Sequence, residues 1–465
     1  MRQPPGALDP ALPRATDATA FAADPFAFLA RARAELGDVV VLRDGGPVFS
    51  RAADCPGVVT VFGAAAHRTV LGDLETYGMP VSAARQLGLP PAVINLTRGL
   101  HAMRGDEHAT QRRIVGAVLS EDVAGRTAMV GEIVDGVVRS WRPGRTIRLL
   151  DTMRCLALAL SARVLFGAGR PELRELPELP ELMNRLDTFF TVRREVSAQG
   201  ARIDAASRTL VAALGIPLDA ALRAYVRACR AGDVSRAGDG IIGRLAATEL
   251  PEDAVVAHAN VLFVSSTEPI AVALTWILLV LSQRPALRGE LRHALAAGDG
   301  LARGALLDRV IGECLRLLPP NAMMARVTTG PAELGGAALP IGTEIMLCPF
   351  VAHRDPARFS EPDHFLPERW VSARPSPFEY LPFGAGGHAC AGRALASALI
   401  ASVLAALLPR HDLVLADEQA IDWRLHIQLL PRVDPVMRIR SPTSRARPGA
   451  VWRGCVADLV RWGSP

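Results

Sequence analysis

Apolar residues recur at helical spacing through most of this 465-residue chain. The periodicity predicts a helix over 25–36 and almost unbroken helix from 63 to about 315. Two β-branched runs, Asp38-Val-Val-Val-Leu and Val58-Val-Thr-Val-Phe, interrupt it early and read as a strand pair. Strand-like pieces return near 324–348 and 424–440. The most apolar segment, 261–281 (VLFVSSTEPIAVALTWILLVL), is long enough to span a bilayer. Glu268 and Pro269 stand at its middle, where a charge and a helix breaker cost most in lipid, so it reads as a helix buried all round inside a large domain. Segment 171–182, PELRELPELPEL, is proline-punctuated and reads as a loop between helices.

The ends differ from the middle. Residues 1–23 are rich in Pro, Ala and Asp and read as a loosely ordered lead-in. After Arg440 the chain turns polar and basic (RSPTSRARPG) before a short amphipathic end at 450–462, so 441–465 reads as an appendage. The expected architecture is mainly α with a small β-rich lobe, in one large domain spanning 24–440.

Composition narrows the function classes. Half the residues are hydrophobic and 21% are charged, enough apolar side chain for a large core. The net charge of +5 comes without any basic block, which argues against nucleic acid as a partner. The seven cysteines (Cys55, Cys155, Cys229, Cys314, Cys348, Cys390 and Cys455) are odd in number and form no CxxC pair. That excludes the usual disulfide framework and zinc spacings. The first ten residues lack the apolar run of a signal peptide. A soluble, cytoplasmic monomer that stays off membranes is the expectation.

Residues 383–392, Phe-Gly-Ala-Gly-Gly-His-Ala-Cys-Ala-Gly, carry the most chemistry. Cys390 stands just before an apolar helical stretch, where the helix dipole and free N–H groups favour a thiolate. Gly384, Gly386 and Gly387 remove side chains, which would let a flat macrocycle approach the backbone, and Phe383 offers an aromatic face. Phe383, Gly386, Cys390 and Gly392 fill the pattern Phe-x-x-Gly-x-x-x-Cys-x-Gly, which resembles the haem-binding signature of the cytochromes P450. The resemblance implies haem b with Cys390 as the axial iron ligand.

Other segments extend the resemblance in the expected order. Glu313-Cys-Leu-Arg316, flanked by Val310, Ile311, Leu315, Leu317 and Leu318, is similar to the family's Glu-x-x-Arg pair. Arg369 in Phe365-Leu-Pro-Glu-Arg-Trp370 would complete its buried network, a structural role. Two propionates need cations, and the resemblance points to His108, Arg112, Arg326 and His388. Arg113 points about 100° away from Arg112 on the same helix.

The distal helix departs from the family. Where P450s usually carry an acid followed by a threonine that feeds protons to dioxygen, this chain reads Ser265-Ser266-Thr267-Glu268-Pro269. The acid is present, and proline replaces the alcohol. Pro269 cannot donate to the Ser265 carbonyl, so a kink or opening is expected there. Three readings stay open: Ser265 or Ser266 holds the relay water, the substrate brings its own hydroxyl or carboxyl, or the chemistry has moved away from hydroxylation. Mid-helix serines that merely bond the preceding turn are an equally good account of Ser265 and Ser266.

The resemblance also implies a distal pocket, with Val93, Ile94, Phe189, Phe190, Leu262, Met323, Met324 and Leu429 as candidate lining, suited to a mostly apolar small molecule. No flavin or nicotinamide fingerprint occurs, so electrons would come from a separate ferredoxin and ferredoxin reductase, met by a basic face around Arg393. The implied activity is a monooxygenase of specialised metabolism. Oxidative coupling or desaturation without oxygen insertion is the alternative, and a haem-thiolate binding or sensor protein without turnover is a third.

Overall fold

The structure, a computed structural model, describes residues 6–48, 54–80, 88–120, 127–167, 185, 188–189, 205–232, 240–296, 300–425, 428–442 and 449–462. The 171–182 segment and Phe190 lie outside the described residues.

The first part of the site's framework, in chain order, is α1 (Pro25–Leu36), β1 (Val39–Asp44), β2 (Gly57–Val61), α2 (Gly63–Gly72), β3 (Tyr77–Gly78), α3 (Gly105–Ser120), α4 (Leu149–Phe166) and α5 (Ala205–Ala231). Then follow α6 (Glu252–Gln283), α7 (Gly300–Leu317), β4 (Met324–Thr328), β5 (Glu344–Leu347) and α8 (Arg393–Leu407). α1 starts where the sequence signals it: the Asp24 carboxylate accepts from the N–H groups of Phe26 and Ala27, and Pro25 takes the first turn. β1 and β2 pair antiparallel with Val39 opposite Val61. They join β3, β4 and β5 in one sheet of order β1-β2-β5-β4-β3. This single domain is helical for the most part, with the sheet to one side.

α6 runs through the core and packs most extensively on α4. By length and composition α5 and α6 could each cross a bilayer. α6 instead buries Ile270, Leu274, Ile277, Leu278 and most of its other side chains inside the protein. It continues through Pro269 as one helix from Glu252 to Gln283. The magnitudes explain why. An interior proline costs about 3 kcal/mol, whereas each large apolar side chain buried contributes roughly 1.5–3 kcal/mol. Trp276 adds a buried N–H donated to the Leu429 carbonyl at 2.9 Å.

Both ends are more ordered than their composition indicates. Leu8 and Leu12 are buried, and Val41 exchanges bonds with the lead-in, donating to the Pro13 carbonyl and accepting from Ala15 N–H, both at 2.8 Å. The C-terminal part is no appendage: Trp452, Val456 and Val460 are buried. Two short strands there pair with the body of the domain, Trp452–Arg453 beside Gln419–Ala420 and Arg461–Trp462 beside His364–Phe365. Its few large apolar side chains fill gaps between distant segments, a role that periodicity within the tail does not reveal.

Candidate functional site

The 383–392 segment folds into a tight loop, with Cys390 N–H donating to the Phe383 carbonyl at 2.8 Å and Ala389 N–H to Gly386 at 3.1 Å. α8 begins at Arg393 with Gly392 at its cap, so Cys390 lies just ahead of the helix. Its side chain is accessible, yet burial pushes the thiol pKa up, against the opposing pull of a Gly392 backbone bond and the Arg393 and Arg112 guanidinium groups. Desolvation thus opposes the thiolate preference expected at this helix start, and a bound cation would act against desolvation.

Two of the glycines are required by packing within the protein. At Gly386 φ is +69°, and a Cβ would stand 1.8 Å from the Leu71 carbonyl oxygen; at Gly387 it would meet Leu74 at 2.4 Å. They let the loop close on the end of α2. A Cβ on Gly392 would meet only Cys390 Sγ, at 4.0 Å. Phe383 carries the Arg393 guanidinium 5.7 Å from its ring centroid.

Behind the loop, Glu313 is fully buried and fully bonded. Arg316 donates Nε to Oε2 at 2.9 Å and Nη2 to Oε1 at 2.8 Å, and Arg369 Nε reaches Oε1 at 2.9 Å. Leu366 N–H and Trp370 Nε1 complete the set, each at 2.9 Å. Arg316 also donates to the carbonyls of His353, Pro362 and His364. His353, which the sequence does not single out, connects this network to the loop. Its Nδ1 bonds the Arg316 carbonyl at 3.0 Å, and its Nε2 accepts from Leu381 N–H at 2.7 Å. A neutral ring protonated on Nδ1 satisfies both bonds. Burial first, helped by Arg316 and Arg354, pushes its pKa down to about 3.

The four expected propionate partners are brought together. The His108 and His388 rings lie 4.3 Å apart. Arg112 and Arg326 act electrostatically on His388, as does His101, a neighbour with no sequence signal; burial and these charges push the His388 pKa down to about 3. Burial likewise lowers Arg326 to about 10. His108 Nε2 and Arg326 Nε are buried with no hydrogen-bond partner. Buried polar atoms without a partner, grouped with the Arg112 and Arg326 guanidinium groups, mark a seat for an anion.

On α6 the polar run divides. Ser265 is exposed, and Leu262 and Pro269 are partly so, among buried neighbours; positions 262, 265 and 269 share one helical face. Ser266 and Thr267 instead bond Ser161 of α4 at 2.9 and 3.1 Å and the Phe263 carbonyl. Glu268, buried, is gripped by Arg154 of α4, with Nη2 2.5 Å from Oε1. Ser266 and Glu268 are thus both engaged with α4, while Ser265 is open on the face it shares with Leu262 and Pro269. The pocket candidates divide too. Ile94, Leu262, Met323 and Met324 keep accessible surface. Val93, Phe189 and Leu429 are fully packed, the first two against Gly215 of α5, so they belong to the core.

The comparisons agree with this geometry. A family model described as cytochrome P450 matches residues 234–432. A Streptomyces melanosporofaciens protein named cyclooctat-9-en-7-ol 5-monooxygenase is 31% identical over 349 residues, covering 68% of this chain and 72% of the relative. This chain belongs to the cytochrome P450 family. Cyclooctatin synthase of the same organism is 29% identical across 86% of this P450 and 88% of its own length. Two solved structures share the fold. A retinoic acid-bound cyanobacterial P450 has a TM-score of 0.74 at 19% identity, covering 94% of this chain and all of its own. The cytochrome P450DA heme domain has a TM-score of 0.76 at 18% identity, covering 95% and 99%. The chain is thus a P450-type oxidoreductase, and the family implies a haem iron with a cysteine thiolate. The accessible Cys390 and the orphaned His108 and Arg326 donors fit that group.

Proposed function

We propose that this P450 is a haem-thiolate monooxygenase that acts on a mostly apolar small molecule in specialised metabolism. It would be soluble, cytoplasmic and monomeric, with electrons delivered by a separate ferredoxin and reductase. The observation that carries the reading is the pairing of an accessible Cys390 with buried His108 Nε2 and Arg326 Nε atoms that have no partner, grouped with Arg112 and His388. Cys390 would ligate the iron, and His108, Arg112, Arg326 and His388 would hold the propionates. Bound there, haem supplies dioxygen activation and oxygen-atom transfer.

The remaining chemistry falls to the chain. Ile94, Leu262, Met323 and Met324 would seat an apolar substrate. Ser265 would present its hydroxyl to the pocket, and its carbonyl, which Pro269 cannot cap, would help hold a water that passes protons inward. The relative named for an unsaturated alcohol points to a substrate with an apolar body and a hydroxyl. Such a hydroxyl would supplement Ser265.

Oxidative coupling or desaturation is the second reading, favoured by Pro269 at the usual threonine position. Turnover under isotopically labelled dioxygen with surrogate redox partners separates the two. Monooxygenation places one labelled oxygen in the product; an unlabelled, coupled or desaturated product would replace it with the second reading.

A further inference from the structure

We infer that the C-terminal segment 449–462 is a positioning element for the Cys390 loop, acting through residues 362–366. That short stretch has two sides. Inward, it gives the Pro362 and His364 carbonyls to Arg316 and the Leu366 N–H to Glu313, which anchor the network leading through His353 to Leu381. Outward, its edge is closed by the tail. Arg461 N–H donates to the Asp363 carbonyl at 2.8 Å, and Arg461–Trp462 runs parallel to His364–Phe365.

The tail is itself held at several points. Trp462 packs edge-on to Phe365 at 6.1 Å and stacks on Trp452 at 5.4 Å. Trp452 N–H donates to Gln283 Oε1 at 3.1 Å, which fixes the tail to the end of α6. Arg354 ties both partners together, donating to the Leu459 carbonyl at 2.9 Å and to Asp363 Oδ1 at 3.2 Å. Without the tail, 363–365 becomes an unpaired strand edge carrying the groups that Arg316 and Glu313 depend on. Coupling of this kind runs through contiguous bonded elements. The family-model match ends at residue 432, so the tail lies outside what that match covers.

The Arg461 side chain is exposed while its N–H makes the bond, which allows a clean test in the full chain. Arg461→Pro deletes the donor, and Arg461→Ala retains it. Hydrogen exchange of the Leu366 amide is expected to quicken at least about tenfold in Arg461→Pro, with Arg461→Ala and the amides of α6 unchanged. In haem-loaded protein, Arg461→Pro should also convert part of the carbon monoxide complex from the thiolate to the neutral-thiol spectrum. Wild-type exchange at Leu366 in Arg461→Pro overturns the inference. So do equal effects of both variants, or acceleration spread evenly through α6, which would show mere global destabilisation. The exchange readout does not depend on the haem reading, so the two can fail separately.

Discussion

Arg154 holds Glu268 through both carboxylate oxygens, with Nε 3.1 Å from Oε2 and Nη2 2.5 Å from Oε1. This pair joins α4 to α6 one residue before Pro269, so the acid supports the helix. Ser265, one turn earlier, keeps its side chain open. Glu268→Gln should lower folding stability by about 1.5–3 kcal/mol, the range for hydrogen bonds to a charged group, and leave the fraction of electrons recovered in product unchanged. Ser265→Ala should lower that fraction by about tenfold or more with little change in stability. Measuring product formed per NAD(P)H consumed, beside denaturant unfolding, checks both. Pro269→Thr should raise coupling little if Ser265 already serves.

The loop glycines give a contrast in which sequence position alone is uninformative. Gly386→Ala places a methyl against the Leu71 carbonyl at a left-handed φ, so about 1–2 kcal/mol of backbone strain adds to a clash that neither backbone relieves cheaply. Gly392→Ala meets nothing closer than 4.0 Å at φ −92°. Thermal unfolding of the haem-free proteins should show a large loss for the first and a change within about 0.5 kcal/mol for the second.

His353 sets an acid limit. The unfolded chain takes up a proton at its ordinary value of 6.5, whereas the folded chain does so only near 3. Between those values the folded state holds fewer protons. This stabilisation is therefore complete above about pH 6.5 and declines by up to about 1.4 kcal/mol per pH unit as pH falls towards 3. His388 and His258, lowered to about 3 and about 4, act in the same direction. His353→Gln should flatten the pH dependence of unfolding free energy by about one proton's worth, with the other two histidines unchanged.

Arg326 predicts a dependence on haem of opposite sign for the two forms of the protein. Arg326→Gln removes a buried, partly unbonded guanidinium. The haem-free chain should gain stability or lose none, while haem affinity should fall by about 10- to 100-fold for the lost charge-assisted bond. Calorimetric unfolding of the haem-free protein and haem transfer to apomyoglobin measure the two effects.

Much of this was legible in the sequence because it depends on local pattern. The α1 span follows from the apolar periodicity of 25–36, the Glu313–Arg316 pair from spacing and apolar flanks, and the position of Cys390 from its motif. What was not legible depends on which distant surfaces meet. No pattern in Ser265–Glu268 says that three of its four side chains turn to Ser161 and Arg154 of α4. His353 is one histidine among ten until the fold places Leu381 beside it. Val93 and Phe189 are apolar like the other pocket candidates, and only their burial beside Gly215 marks them as core. The tail's role arises from pairing with His364–Phe365, nearly a hundred residues away.

The central claim is that Cys390 ligates a haem iron. Carbon monoxide difference spectroscopy of the reduced, haem-loaded protein tests it most directly. The account predicts the red-shifted Soret band of a thiolate-ligated complex, abolished by Cys390→Ala and retained in Cys348→Ala. A haem-loaded wild-type protein without that band, or a Cys390→Ala protein that keeps it, would contradict the account.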